Sequence, residues 1–200
     1  MVLGVVVLIS GGGSNLRAIL DATLNPLYPV RILAVGSDQP AEGLAHAELF
    51  GIPTFVVSPG AFETREQWAE VLLENVNFFK PDLTVLAGFM RILPPAFVSA
   101  LSPKLINTHP SLLPAFSGAH AVRDALAAGA TETGVTIHIV DEGVDTGPKL
   151  AQQSLTILQD ETEGELHERI KTIERELLVR TVREIAENRI ELRGANGSNQ

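Results

Sequence analysis

Apolar and polar positions along the chain switch repeatedly between two periods. Val5-Val6-Val7-Leu8-Ile9 is a continuous, mostly β-branched run, the pattern of a strand buried on both faces of a parallel sheet. From Asn15 to Ala22 the apolar residues Leu16, Ile19 and Leu20 fall at helical spacing, so strand, glycine turn and helix follow in order. The alternation continues with strands predicted over 30–35, 54–57, 83–87 and 104–109, and helices over 43–50, 64–79, 94–101 and 119–128. After Gly129 the order changes. Residues 133–140 and 149–157 both read as strands, and the turn-rich Asp141-Glu142-Gly143-Val144-Asp145-Thr146-Gly147-Pro148 between them leaves no room for a helix. The expected fold is therefore α/β: a Rossmann-like, mostly parallel sheet with helices on both faces and an antiparallel or bent carboxy-terminal extension. A last helix is predicted over 163–188, with Leu166, Ile170, Ile173, Leu177 and Ile185 on one stripe and charge over most of its remaining surface.

Composition narrows what this fold is for. Two hundred residues suit one domain, expected over 1–193, with a polar tail at 194–200 expected to be disordered. Cysteine is absent, which excludes a disulfide framework, a thiol nucleophile and cysteine-ligated metal. A net charge of -9 argues against a protein that wraps nucleic acid. An anionic ligand must then be met locally, against the average field. The apolar start has no charged residue before Arg17 and no small-residue cleavage pattern, so it reads as a strand and not a signal peptide. No apolar run reaches the length of a spanning helix. The chain is expected to be soluble and cytoplasmic, bound to neither membrane nor nucleic acid.

Two places carry chemistry. Ser10-Gly11-Gly12-Gly13-Ser14-Asn15 stands where a strand hands over to a helix, and there backbone N–H groups and the positive helix end make an anion site. It lacks the third glycine of G-x-G-x-x-G and the Gly-Lys-Ser/Thr of a P-loop. What remains is a cradle for one phosphate group, with Ser14 and Asn15 as added donors, or a tight turn that uses glycine only for its backbone freedom. The second place is the end of the strand before Pro110. Asn107 and His109 share a face there and Thr108 takes the other. An amide and an imidazole side by side suit a reaction in which negative charge develops on a carbonyl oxygen. Asp145, with Asp141 and Glu142 as competitors in the same turn-rich loop, is the candidate third group. His138, between Ile137 and Ile139, faces either the site or a polar edge.

At these residues the chain resembles the folate-dependent phosphoribosylglycinamide formyltransferases. The resemblance spans nearly all of residues 2–190. It rests on the glycine turn, on Ala87-Gly88-Phe89-Met90-Arg91-Ile92-Leu93, on Ile106-Asn107-Thr108-His109-Pro110-Ser111-Leu112-Leu113-Pro114 and on residues 141–148. It implies formyl transfer from 10-formyltetrahydrofolate, as cosubstrate and without a metal, to the amine of glycinamide ribonucleotide. By the same resemblance Asn107, His109 and Asp145 are catalytic, and Gly12, Gly13, Ser14, Asn15 and Glu174 bind the nucleotide. Arg65, Met90, Arg91, Ile92, Leu93, Asn107 and Asp141 bind the folate. A monomer or homodimer and a cis Leu113-Pro114 bond are further expectations. Where the family usually has Pro-Gly this chain has Ser117-Gly118, which bears on the rigidity of that loop. Other readings are a formyl transferase acting on initiator tRNA or a formylfolate hydrolase, each expected to carry a further domain, and a non-catalytic nucleotide-binding module.

Overall fold

The central strand β1 (Leu3–Ile9) is buried from Gly4 onward, with β2 (Val30–Ser37) on one side and β4 (Leu83–Leu86) on the other, both parallel to it. This is a computed structural model; it describes residues 2–194, so Met1 and 195–200 of the predicted tail lie outside the described residues. β3 (Thr54–Val56) and β5 (Leu105–His109) extend the parallel part, giving the order β3-β2-β1-β4-β5. Then the direction reverses. β6 (Glu132–Ile139) and β7 (Lys149–Thr156) complete the seven-stranded sheet as antiparallel strands, which settles the expected extension as antiparallel.

β1 shows why two helical layers form. Val5, Val7 and Ile9 pack with Leu16, Ile19 and Leu20 of α1 (Ser14–Ala22) and with Leu166, Ile170 and Leu177 of α6 (Glu163–Ala186). The alternate residues Val6 and Leu8 pack with Trp68, Leu72 and Val76 of α3 (Arg65–Phe78) and with Phe97 and Val98 of α4 (Pro95–Leu101). The short α2 (Leu44–Leu49) and α5 (Ala121–Ala127) complete the helices. The predicted elements are all present, with ends within a few residues of expectation. The two longest helices each begin on a capping box, Thr64 with Gln67 and Thr162 with Glu165, in which side chains satisfy otherwise orphaned N–H groups. The expected cis bond at Leu113-Pro114 is present, with a second at Ser102-Pro103. No helix among the described residues is long and apolar enough to cross a membrane.

The strand order fixes where a ligand fits. Connections from β1 leave towards β2 on one side and arrive from β3 through α3 at β4 on the other. A crevice opens at such a switch point, at the carboxyl ends of the strands. The glycine turn, the 87–93 loop and the Asn107–His109 strand end all lie at those ends.

Candidate active site

The end of β5 sets the chemistry. Asn107 and His109 project from one face, and antiparallel pairing sets His138 of β6 directly opposite Asn107. The loop between β6 and β7 then carries Asp145 back to the same face. Its Oδ2 lies 3.3 Å from His109 Nδ1 and its Oδ1 lies 3.5 Å from His138 Nε2. The Gly118 N–H also donates to Oδ2, at 2.8 Å. Burial would raise the Asp145 pKa, but the hydrogen bond from His138, the Gly118 N–H and the charges of His109 and His138 together lower it below the ordinary 3.8. Asp145 is therefore an ionised carboxylate at neutral pH.

Both nitrogens of His109 face acceptors. Nε2 donates to the Phe116 carbonyl at 2.9 Å, and Nδ1 faces the Asp145 carboxylate. A neutral imidazole has one N–H, whereas the imidazolium satisfies both partners. In His138, Nδ1 donates to the Ile139 carbonyl at 2.9 Å. Its Nε2 has two neighbours, Asp145 and the Asn107 amide nitrogen at 3.3 Å. The charged ring donates to Asp145; the neutral ring accepts from Asn107. Below these groups Thr136 receives the Leu113 N–H and donates to the Ser111 carbonyl, while Gln152 holds both Thr136 and the Leu113 carbonyl. This net fixes the 111–113 segment behind His109.

On the far side of β5 a cleft of about 680 Å³ runs along the glycine turn. Gly12, Gly13, Ser14, Asn15 and Glu174, all predicted from the sequence, line it together with Thr108 and Arg91. Gly13 caps α1 with φ 69°, in the left-handed region that favours glycine. A Cβ there would come within 2.9 Å of the Gly43 Cα, so backbone packing also requires this glycine. Gly12 differs: a Cβ there meets nothing within 4 Å. His167 and Lys171 of α6 line the same cleft and were not singled out by the sequence, in which they merge with the charged face of that helix.

The formyl transferase family matches residues 3–182. The chain belongs to this family. Among formyl transferases, the phosphoribosylglycinamide formyltransferase of Mycobacterium tuberculosis is 48% identical over 181 residues, spanning 90% of this chain and 84% of its own. That of Escherichia coli is 38% identical over 191 residues, spanning 95% and 90%. In three dimensions, glycinamide ribonucleotide transformylase 1 from Symbiobacterium toebii superposes with a TM-score of 0.92 at 36% identity, covering 96% of this chain and 91% of its own. The resemblance read from residues 87–93, 106–114 and 141–148 is thus borne out.

The residues assigned to folate by that formyl transferase resemblance occupy three settings. Met90 and Arg91 line the cleft; the Met90 N–H donates to Ser10 Oγ at 2.8 Å, and Arg91 Nε pairs with buried Asp38 at 2.6 Å. Ile92 is exposed and its carbonyl accepts from Arg65, at the start of α3, whereas Leu93 is buried against the α3 and α4 core. Asp141 turns inward on its own loop, its Oδ1 accepting from the Gly143 N–H and from Thr146 Oγ1. Ile92 and Leu93 on the 87–93 loop, Asp141 on the 141–148 loop and Arg65 at the start of α3 therefore lie outside the glycine-turn cleft. Among the described residues no three His, Cys, Asp or Glu side chains are gathered as a metal site. The residue the sequence left open is His138, because alternation with two isoleucines does not say which face is which; only the pairing with Asn107 does.

Proposed function

We propose that the chain transfers a formyl group from 10-formyltetrahydrofolate to the glycine amine of glycinamide ribonucleotide, a step of purine biosynthesis, in the cytoplasm and as a monomer or homodimer. The observation that carries this reading is the Asn107, His109, Asp145 cluster at a strand end flanked by a glycine-lined anion cradle. The similar phosphoribosylglycinamide formyltransferases support the same substrate.

The donor fits the loops beside Asn107. Met90 and Ile92 on one loop and Val144 on the other are apolar and exposed at 78%, 65% and 49%, the surface a flat heteroaromatic ring covers. Met90, Arg91, Ile92, Leu93, Asn107 and Asp141 would hold that ring system, and Arg65 supplies a cation for a carboxylate of its tail. Bound there, the folate supplies the activated formyl carbon. Gly12, Gly13, Ser14 and Asn15 hold the nucleotide phosphate, and Glu174 accepts from the nucleotide's hydroxyls. Fixing both substrates across the end of β5 provides orientation.

As the substrate amine adds to the formyl carbon, negative charge grows on the formyl oxygen. Asn107 donates to that oxygen, and protonated His109 stabilises it once its Nε2–H leaves the Phe116 carbonyl. The Asp145 carboxylate balances the imidazolium charge and takes part in moving the proton that the amine loses to folate N10. As the adduct collapses, the bond from the formyl carbon to N10 breaks, leaving tetrahydrofolate and the formylated amine. His138 Nε2 faces both groups and steadies Asp145 when the ring is charged and Asn107 when it is neutral. His138→Phe is expected to lower turnover by about tenfold, the scale of one charge-assisted hydrogen bond, with little change in either KM in steady-state assays.

The deciding experiment is a formyl-transfer assay with purified protein, 10-formyltetrahydrofolate and glycinamide ribonucleotide, followed by folate absorbance. Nucleotide-dependent loss of formylfolate is expected. Formylfolate loss without the nucleotide, or none at all, overturns the reading.

A further inference from the structure

Thr108 stands between the two catalytic candidates and points the other way, towards α6. Its side chain is buried, and its hydroxyl donates to Glu174 Oε1 at 2.8 Å across 66 residues of sequence. Both residues line the glycine-turn cleft. Glu174 sits mid-helix on a long side chain, and such a carboxylate samples several rotamers unless something holds it. Its basic neighbours on α6 are engaged elsewhere: Lys171 binds Glu168 at 2.7 Å, and Arg175 donates to Thr172. Thr108 is then the group that ties Glu174 to the sheet.

We propose that Thr108 is a positioning residue for the nucleotide. By donating to Oε1 it fixes the Glu174 carboxylate over the cleft and leaves Oε2 to accept from a hydroxyl of the ribonucleotide. The proposal rests on the reading of Glu174 as a nucleotide contact. It also gives β5 two tasks at adjacent positions, the chemistry from Asn107 and His109 on one face and substrate placement from Thr108 on the other. Only the hydroxyl is needed for this role. Valine has the same shape and suits a strand equally well, so Thr108→Val removes the hydrogen bond and little else.

Steady-state kinetics and calorimetric titration with glycinamide ribonucleotide test it on four variants: Thr108→Val, Thr108→Ser, Glu174→Ala and the Thr108→Val/Glu174→Ala pair. Thr108→Val is expected to raise KM and Kd for the nucleotide about tenfold, with kcat and the formylfolate KM within about twofold of wild type. Thr108→Ser, which keeps the hydroxyl, restores nucleotide affinity. In the Glu174→Ala background Thr108→Val adds nothing, because the two residues act as a unit. A wild-type nucleotide KM for Thr108→Val beside a raised one for Glu174→Ala overturns the proposal and leaves the Glu174 reading standing, as do effects that simply add. An unchanged nucleotide KM for Glu174→Ala overturns the Glu174 contact itself, and the proposal with it.

Discussion

Asp145→Asn should lower turnover by about 100-fold or more while leaving the fold and nucleotide affinity near wild type, the scale of a positioned charge-stabilising and proton-moving group. The fold survives because an amide oxygen can still accept the Gly118 N–H that Asp145 now receives. Turnover falls because the group facing His109 Nδ1 becomes a neutral amide in place of a carboxylate, and a neutral amide stabilises an imidazolium less. A stability signature accompanies the kinetic one. The Asp145 carboxyl is depressed below its ordinary 3.8 in the folded protein, so its stabilisation is complete above that value and is lost as pH falls through the folded pKa. The gap in stability between wild type and variant, followed by chemical denaturation, should therefore close as the pH falls below about 4. Wild-type turnover in the variant would remove Asp145 from the mechanism.

The second large effect separates two adjacent glycines. Gly12→Val should raise the nucleotide KM by about 100-fold, the loss of roughly two charge-assisted N–H contacts to phosphate, and leave the formylfolate KM and the melting temperature nearly unchanged. A Cβ at residue 12 meets nothing within 4 Å, and Gly12 lines the cleft at the turn. Gly13→Val should instead destabilise the protein itself, by about 1–3 kcal/mol or more, because it forces a β-branched residue to positive φ and its Cβ into the Gly43 backbone. A Cβ is thus open to space at Gly12 and barred by the Gly43 backbone at Gly13. Calorimetry with each substrate and a thermal melt distinguish them; equal loss of both substrates in Gly12→Val would displace the phosphate from this turn.

Much of the molecule is legible in its sequence because its elements are buried in a regular way. β1 reads as a strand since all of Gly4–Ile9 is covered by helices on both sides. Asn107 and His109 could be paired from spacing alone, because alternation along one strand fixes which side chains share a face. Relations between strands are less visible. The period that marks 133–140 as a strand is the same for parallel and antiparallel neighbours, so the reversal at β6 could be narrowed only to an antiparallel or bent extension, and His138 could not be assigned a side. The partnership of Gly13 with Gly43 is equally silent, since each looks like an ordinary turn or helix-start glycine until the two backbones meet. His167 and Lys171 disappear into a helix whose surface is charged almost throughout.

Asp145 reaches both histidines from a loop held by backbone contact at Ile139 and Pro148 and by the Asp141 side chain. A Cβ on Gly147 would lie 1.8 Å from the Ile139 carbonyl, and the Ile139 N–H is bonded to the Pro148 carbonyl at 2.9 Å. At the other end Asp141 gathers the Gly143 N–H and Thr146, and Asp145 itself sits at φ 56°. The span from 141 to 148 therefore works as a ruler. One residue more or fewer would shift the chain by about 3.5 Å, as far as the 3.3 Å that now separates the carboxylate from His109. The number of residues between Ile139 and Pro148, and not the side chains at 142 and 144, sets the distance the carboxylate covers.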